Sequence, residues 1–134
     1  MAANIDSFIR KYNGKTLQDD GCYVSKEFHS FQVSFINAMK KIATSVGGEV
    51  VNAHKGHYDV SGFIKRGDKF VYFNYSNAIG IGGRTHIILK NDIDRGYHRP
   101  LLIRGARHER DYSGFTNNFA SFDRCEILID RLLN

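Results

Sequence analysis

A short segment late in the chain concentrates side chains suited to phosphate chemistry. Its members are Arg104, Arg107, His108, Arg110 and Tyr112. Arginine makes planar, bidentate contacts with phosphate oxygens, and histidine exchanges protons near neutral pH. The segment therefore supports two hypotheses, which are the binding of phosphate groups and the metal-independent cleavage of RNA.

The cleavage hypothesis centres on His108 and Tyr112. His108 would act as acid or base, and an arginine, which is Arg104, Arg107 or Arg110, would stabilise the extra negative charge. Glu109 and Asp111 flank the histidine, so their charges would repel phosphate unless the arginines neutralise them. Small toxin ribonucleases of the RelE type, which are also basic α+β domains, resemble the segment in residue type and not in spacing. The structural alternative is an exposed loop held by Arg–Asp and Arg–Glu pairs.

The best-defined local structure is a β-hairpin in the middle of the chain. Runs rich in aromatic and β-branched residues flank Gly67-Asp68, a two-residue turn in which glycine supplies the positive φ. Counting outward from this turn pairs Ile64 with Val71 and Val60 with Tyr75. One face of the hairpin is then apolar and is predicted to face the core. The predicted core-face residues are Val60, Ile64, Val71, Phe73 and Tyr75.

The opposite face of the hairpin carries aromatic rings among lysine and polar side chains. The rings are those of Phe63, Phe70 and Tyr72, with Lys65 and Lys69 beside them. If exposed, the rings would stack nucleic-acid bases while the lysines hold phosphate; if a helix covers them, they belong to the core. Residues 66–73 also match most positions of an RNA-contact motif of RRM domains. Asp68 and Lys69 break that motif, and no helix follows it as an RRM requires.

The distribution of basic residues favours an anionic partner. The net charge is +5, and from Arg84 onward there are eight arginines and one lysine, Lys90. Arg95 and Arg99 join the three arginines at 104, 107 and 110 as predicted phosphate contacts. We therefore expect a basic binding module whose partner is nucleic acid or a nucleoprotein, and which is not an enzyme.

The elements that must position these side chains indicate one α+β domain over residues 1–134. Apolar spacing predicts a helix over residues 5–12 with Asn4 as its cap, and a longer helix over 28–46. Strands follow at 49–53, in the hairpin, at 86–89 and at 100–104, and a closing helix begins at Phe119. The predicted order is α-α-β-β-β-β-β-α, with a mainly antiparallel sheet of about five strands and the helices packed on it.

Several classes of function lack support in the sequence. His54 and His57 have no third ligand at a metal-binding spacing, so neither a metal nor a cofactor is expected. The chain shows no signal peptide and no membrane segment, which predicts a cytoplasmic protein. Cys22 and Cys125 are far apart and are expected to be free thiols.

Two sequence blocks resemble small, largely uncharacterised accessory proteins of phages and mobile elements. The blocks are residues 56–63, GHYDVSGF, and residues 107–119, RHERDYSGFTNNF. That group includes anti-CRISPR inhibitors of host defence nucleases. The resemblance covers about the last two-thirds of the chain, carries no known active site, and implies an inhibitor of a host nuclease.

Overall fold

The central hairpin forms with the predicted register. The computed structural model describes residues 3–18, 26–57, 59–76, 84–90, 100–113 and 118–134. Strand β3 (Asp59–Arg66) and strand β4 (Lys69–Ser76) pair so that Ile64 lies opposite Val71 and Val60 opposite Tyr75. Gly67 has φ +62°, as a tight hairpin turn requires. The predicted core face is confirmed, because all five of its side chains are fully buried.

The hairpin lies within a five-stranded antiparallel sheet. The other three strands are β2 (Glu49–Lys55), β6 (Leu101–Ala106) and β7 (Asn118–Ala120). The strand order in the sheet is β2-β3-β4-β6-β7. All helices of the described residues pack their apolar sides into one cluster with one face of this sheet. The prediction of an α+β fold with a mainly antiparallel sheet is therefore confirmed.

Helix α2 (Lys26–Ser45) supplies most of the core against the sheet. Its Phe31, Phe35, Met39 and Ile42 are fully buried, which follows the predicted spacing of three and four residues. The Phe35 ring packs 6.0 Å from that of Phe73 and 5.6 Å from that of Tyr75, between ring centres. Helix and sheet thus meet through a continuous layer of aromatic rings.

A close approach in this layer depends on a glycine. Gly62 pairs with Phe73 across the hairpin and shares its face of the sheet. A Cβ at position 62 would lie 2.7 Å from the Phe73 ring, which is closer than real contacts allow. The missing side chain therefore lets the Phe73 ring pack inward beneath α2.

The shorter helices depart from the predicted boundaries. Helix α1 (Asp6–Tyr12) has Ile5 at its N-cap without a side-chain hydrogen bond, so the prediction that Asn4 caps it is wrong. The closing helix α3 (Cys125–Leu133) begins later than predicted, after a 3-10 turn, Phe122–Arg124. Phe119 was expected in that helix but lies in β7. Backbone pairing with β6 fixes this segment as a strand, although its apolar spacing also suits a helix.

A second, two-stranded sheet was not predicted. Strand β1 (Thr16–Gln18) pairs with strand β5 (Arg84–His86); each has three residues, and Leu17 is the one apolar residue among the six. The predicted strand at 86–89 is therefore wrong beyond His86. The backbone N–H groups that follow bond to other acceptors: Ile87 to the Lys15 carbonyl at 2.8 Å, and Ile88 to the Tyr75 hydroxyl at 2.9 Å. Burial raises the pKa of the Tyr75 hydroxyl, and this hydrogen bond lowers it by less. The hydroxyl therefore stays protonated.

Two further observations bear on the sequence predictions. Cys125 is a free, fully buried thiol, and burial raises its pKa, so it packs as a small apolar side chain. Cys22 lies outside the described residues. Within them, no helix combines the length and the apolar character needed to cross a lipid bilayer.

The aromatic layer predicts a large cost for truncating Phe35. Phe35→Ala should lower the free energy of unfolding by about 3–5 kcal/mol, because a fully buried ring leaves a cavity. Denaturant unfolding followed by circular dichroism measures this change. Val33→Ala, on the same helix and 41% exposed, is the matched control and should change stability by at most about 0.5 kcal/mol. Equal stability of the two variants would contradict the core assignment.

Candidate nucleic-acid interface

The face of the sheet opposite α2, which we call the outer face, carries the predicted aromatic residues. The strand register places a row of side chains across four adjacent strands. This row consists of Val51, Phe63, Tyr72 and Arg104. Residues opposite each other across antiparallel strands project to the same side, so these four side chains are neighbours.

Residues 107–113, which we call the arginine loop, fold back over this row. The Tyr112 ring lies edge-to-face with Phe63 at 5.4 Å and with Tyr72 at 5.9 Å. Asn52 donates from Nδ2 to the Tyr112 hydroxyl at 2.9 Å and to the Glu109 carbonyl at 2.8 Å. A loop, and not the helix that was considered from the sequence, therefore covers the middle of the outer face.

Asn52 can reach the loop because strand β2 is irregular at this point. Its φ is +51°, in the left-handed region that asparagine tolerates better than most residues. The register of β2 against β3 shifts between Val51 and His54, as in a β-bulge. Because of the bulge, Asn52 lies outside the regular strand pairing. The side-chain amide of Asn52 is therefore able to bind the arginine loop. No sequence signal had marked Asn52 as part of the site.

Arg104 holds the arginine loop from beneath. Its guanidinium lies 4.5 Å from the Tyr72 ring centre and donates to the Asp111 carbonyl at 2.7 Å and the Gly105 carbonyl at 3.3 Å. Arg104 is only 2% exposed. The prediction that Arg104 contacts phosphate directly therefore does not fit this structure, since the group is engaged in anchoring the loop. Phe63 is likewise fully buried and unavailable for stacking.

Inside the loop, Arg107 and Asp111 form a closed ion pair. Nε and Nη2 of Arg107 donate to the two carboxylate oxygens at 3.1 and 3.3 Å, and the Arg107 backbone N–H donates at 2.9 Å. The Ser113 hydroxyl also donates to the carboxylate at 3.1 Å. Together these hydrogen bonds hold the pKa of Asp111 well below its ordinary value, and the bond from the Arg107 side chain contributes most. The hydrogen bond to Asp111 in turn raises the pKa of Arg107.

Two aromatic rings of this surface remain exposed. Tyr112 and Phe119 are each 57% exposed. Phe119 pairs with Leu102, which pairs with Asn74, so its ring projects from the outer face at the β7 edge. The predicted helix had placed Phe119 towards the core, and for that reason the sequence did not mark it as a contact residue.

Exposed cations accompany these rings. Lys65 is exposed with its Nζ 5.9 Å from the centre of the partly buried Phe70 ring. Arg110 and Lys69 are exposed, and neither cationic group has a partner in the part of the chain that the structure describes. The structure thus places Lys65, Phe70 and Tyr72 on the outer face. Lys69 pairs with Arg66 and alternates with Phe70, so it projects from the opposite side of the sheet, where the helices lie. Arg95 and Arg99 lie outside the described residues.

The residues of the cleavage hypothesis take part in holding the arginine loop. His108 Nδ1 accepts the Arg110 backbone N–H at 3.2 Å, the Tyr112 hydroxyl binds Asn52, and Arg104 is buried under the loop. The buried Arg104 is therefore not accessible to an RNA phosphate. Among the described residues, no cluster of three histidine, cysteine, aspartate or glutamate side chains could hold a metal.

The Asp111 pair predicts that acid opens the loop. Because the pKa of Asp111 is lower in the folded state, its stabilisation is complete above the ordinary carboxyl pKa of 3.8, begins to fall below that value, and is lost fully only as the pH falls through the lower folded-state pKa. Protection of the amides of residues 107–113, taken relative to the intrinsic exchange rate at each pH, should therefore begin to decrease below about pH 4. Asp111→Asn should show fast exchange at neutral pH and lack this transition. Asp68→Asn, at the exposed hairpin turn, is the control and should behave as the parent; identical profiles for all three proteins would contradict the assignment.

This surface combines exposed aromatic rings with exposed cations. Tyr112 and Phe119 offer planar rings, while Arg110 and Lys65 offer cations around them. The anchored loop keeps one of these rings in a fixed position over the sheet. No protein-family model, no curated protein and no solved structure matches the chain, so its function has to be inferred from this geometry and from the sequence.

Proposed function

We propose that the protein is a non-enzymatic binding module for nucleic acid, either free or within a nucleoprotein. The contact surface is the exposed part of the outer face together with the arginine loop. The observation that carries this proposal is the pair of half-exposed rings, Tyr112 and Phe119, on a face that also presents Arg110 and Lys65. A cytoplasmic location, where nucleic acid is accessible, belongs to the same proposal.

Single-stranded nucleic acid matches this surface better than a duplex. Aromatic side chains stack with bases that are not paired, and each stacked base is worth about 1–3 kcal/mol. Tyr112 packs on Tyr72 of β4, and Phe119 belongs to β7, two strands further across the sheet. Adjacent strands are about 4.8 Å apart, so the two platforms are separated by roughly 10 Å laterally. An extended single strand of nucleic acid can therefore lie across both rings while its phosphates contact the exposed cations.

The arrangement also explains why the loop is anchored so firmly. A ring that is already held in place loses little conformational entropy when a base stacks on it. Tyr112 is fixed by two edge-to-face ring contacts and one hydrogen bond. The buried Arg104 contributes indirectly, because it binds the loop carbonyl of Asp111. Direct contacts from Arg95 and Arg99 stay predictions from the sequence.

The resemblance to phage and mobile-element proteins suggests the biological setting. In that setting the nucleoprotein would be a host defence nuclease carrying its nucleic acid, and this protein would be its inhibitor. This part of the proposal depends on the two sequence blocks and on the basic character of the chain. A pull-down from cytosol with and without nuclease treatment tests it: loss of all captured partners after treatment supports nucleic acid as the contact, and recovery of a nuclease-resistant protein complex favours the inhibitor.

Direct binding predicts separable effects of charge and stacking. Arg110→Gln or Lys65→Gln should weaken binding to a labelled single-stranded oligonucleotide and flatten its log–log salt dependence by about 0.7 for each phosphate that is no longer neutralised. Phe119→Ala should instead cost about 1–3 kcal/mol without changing the slope. Fluorescence anisotropy over a salt series measures both quantities. Tyr112→Leu removes the other exposed ring of this surface, and the leucine side chain keeps an apolar group over Phe63.

Matched variants control this experiment. Lys26→Gln removes an exposed charge from α2, and Ile127→Ala truncates an exposed apolar side chain on α3. Neither should alter the affinity or the salt slope by a measurable amount. Binding that is insensitive to salt, or that the two controls weaken as much as Arg110→Gln and Phe119→Ala do, would refute the outer face as a nucleic-acid surface.

A further inference from the structure

On the other side of the protein, a groove runs between α1 and α2. It has a volume of about 200 Å³. Its apolar floor consists of Ile5, Phe8, Tyr12 and Ala38. Tyr12 and Ala38 are buried and Phe8 is partly buried, so the floor is part of the protein core that remains accessible from outside.

The two walls of the groove carry the same kinds of side chain at the same spacing. From the α1 side come Asn4, Ser7 and Lys11. From the α2 side come Ser34, Asn37 and Lys41. Ser34, Asn37 and Lys41 have the spacing i, i+3 and i+7, which aligns their side chains along one side of α2. Ser7 and Lys11 are four residues apart on α1, and Asn4 precedes the N-cap of that helix. Each wall therefore has two neutral hydrogen-bonding groups and ends in a lysine.

The two lysines lie at opposite ends of the groove because the walls run in opposite directions. At one end the Tyr12 hydroxyl is 3.4 Å from the Ser34 hydroxyl, which places the end of α1 beside the earlier part of α2. At the other end Asn4 lines a depression with Lys41. Residues 34 and 41 are about 10 Å apart along a helix, so the charges of Lys11 and Lys41 are separated by roughly that distance.

The electrostatics of the groove are those of an anion site. No aspartate or glutamate is among its lining residues in the described part of the chain. Lys41 has no ion-pair partner in the described ranges, and Lys11 contacts only the Tyr12 ring, at 5.4 Å. The side chains of Asn4, Ser7 and Asn37 likewise make no hydrogen bond to any other described residue. Two cations and three polar groups thus face an apolar floor. Apart from the contact of Lys11 with the Tyr12 ring, their charges and hydrogen-bonding groups are not engaged by other residues of the described ranges.

We infer that this groove binds a small organic dianion whose two anionic groups are joined by an apolar spacer. Lys11 would bind one anionic group and Lys41 the other, while the spacer lies on Phe8 and Ala38. The asparagine and serine side chains would donate further hydrogen bonds to the anionic ends. A volume of about 200 Å³ accommodates a small molecule and not a folded segment of another protein.

Dicarboxylates of different length test the site. Succinate, suberate and dodecanedioate, in order of increasing length, would be titrated into the nitrogen-15-labelled protein, and amide shifts would be followed by NMR. Suberate should bind most tightly and shift the amides of residues 5–12 and 34–41, because its length suits the separation of the lysines. Octanoate, which has one carboxylate and a similar apolar length, should bind more weakly.

Charge variants complete the test. Lys11→Gln and Lys41→Gln should each weaken suberate binding by about threefold to tenfold, as expected for a partly exposed ion pair. Lys15→Gln, which removes an exposed charge outside the groove, should leave suberate affinity unchanged. Arg110→Gln should also leave it unchanged, which separates this site from the outer face. Affinity that is the same for all the anions, an equal loss in Lys15→Gln, or no binding at all would overturn the inference.

Discussion

In the hairpin of β3 and β4, Gly67 adopts the positive φ that a tight two-residue turn demands, and Arg66 consequently pairs with Lys69. Every pair further out follows from this one, and a slip by one residue would exchange the two faces of the sheet. The register sends Phe73 and Tyr75 towards α2 and leaves Tyr72 on the outer face. Both the core and the candidate binding surface therefore depend on the conformation of this one turn.

The loop that covers the outer face is held in place by a buried cation, Arg104. A buried charge is costly unless hydrogen bonds and other contacts replace its hydration. Arg104 obtains that replacement from the Tyr72 ring and from backbone carbonyls, one of which belongs to Asp111. Arg104 and the arginine loop thus stabilise each other, because without the loop the guanidinium would lose its shortest hydrogen bond. Firm anchoring of Tyr112 is one result of this mutual dependence.

The features that the sequence revealed are those determined by local patterns. The hairpin register, the buried stripe of α2 and the fold class follow from turn chemistry and from periods of two and three to four residues. Long-range contacts were not visible in the same way. Arg104 and Arg107 are three residues apart and look equivalent, yet one is buried and the other exposed, because the chain folds back only after β6. Phe119 was misplaced for a similar reason, since pairing with Leu102 outweighed its helical spacing.

The bulge at Asn52 also affects how the protein behaves towards copies of itself. Strand β2 forms an edge of the five-stranded sheet, and such an edge offers unpaired backbone groups to any other strand. A bulge twists the strand and interrupts the regular row of donors and acceptors. The residue that secures the loop therefore also opposes edge-to-edge aggregation. The irregular edge of the sheet and the position of the arginine loop are thus linked through one asparagine.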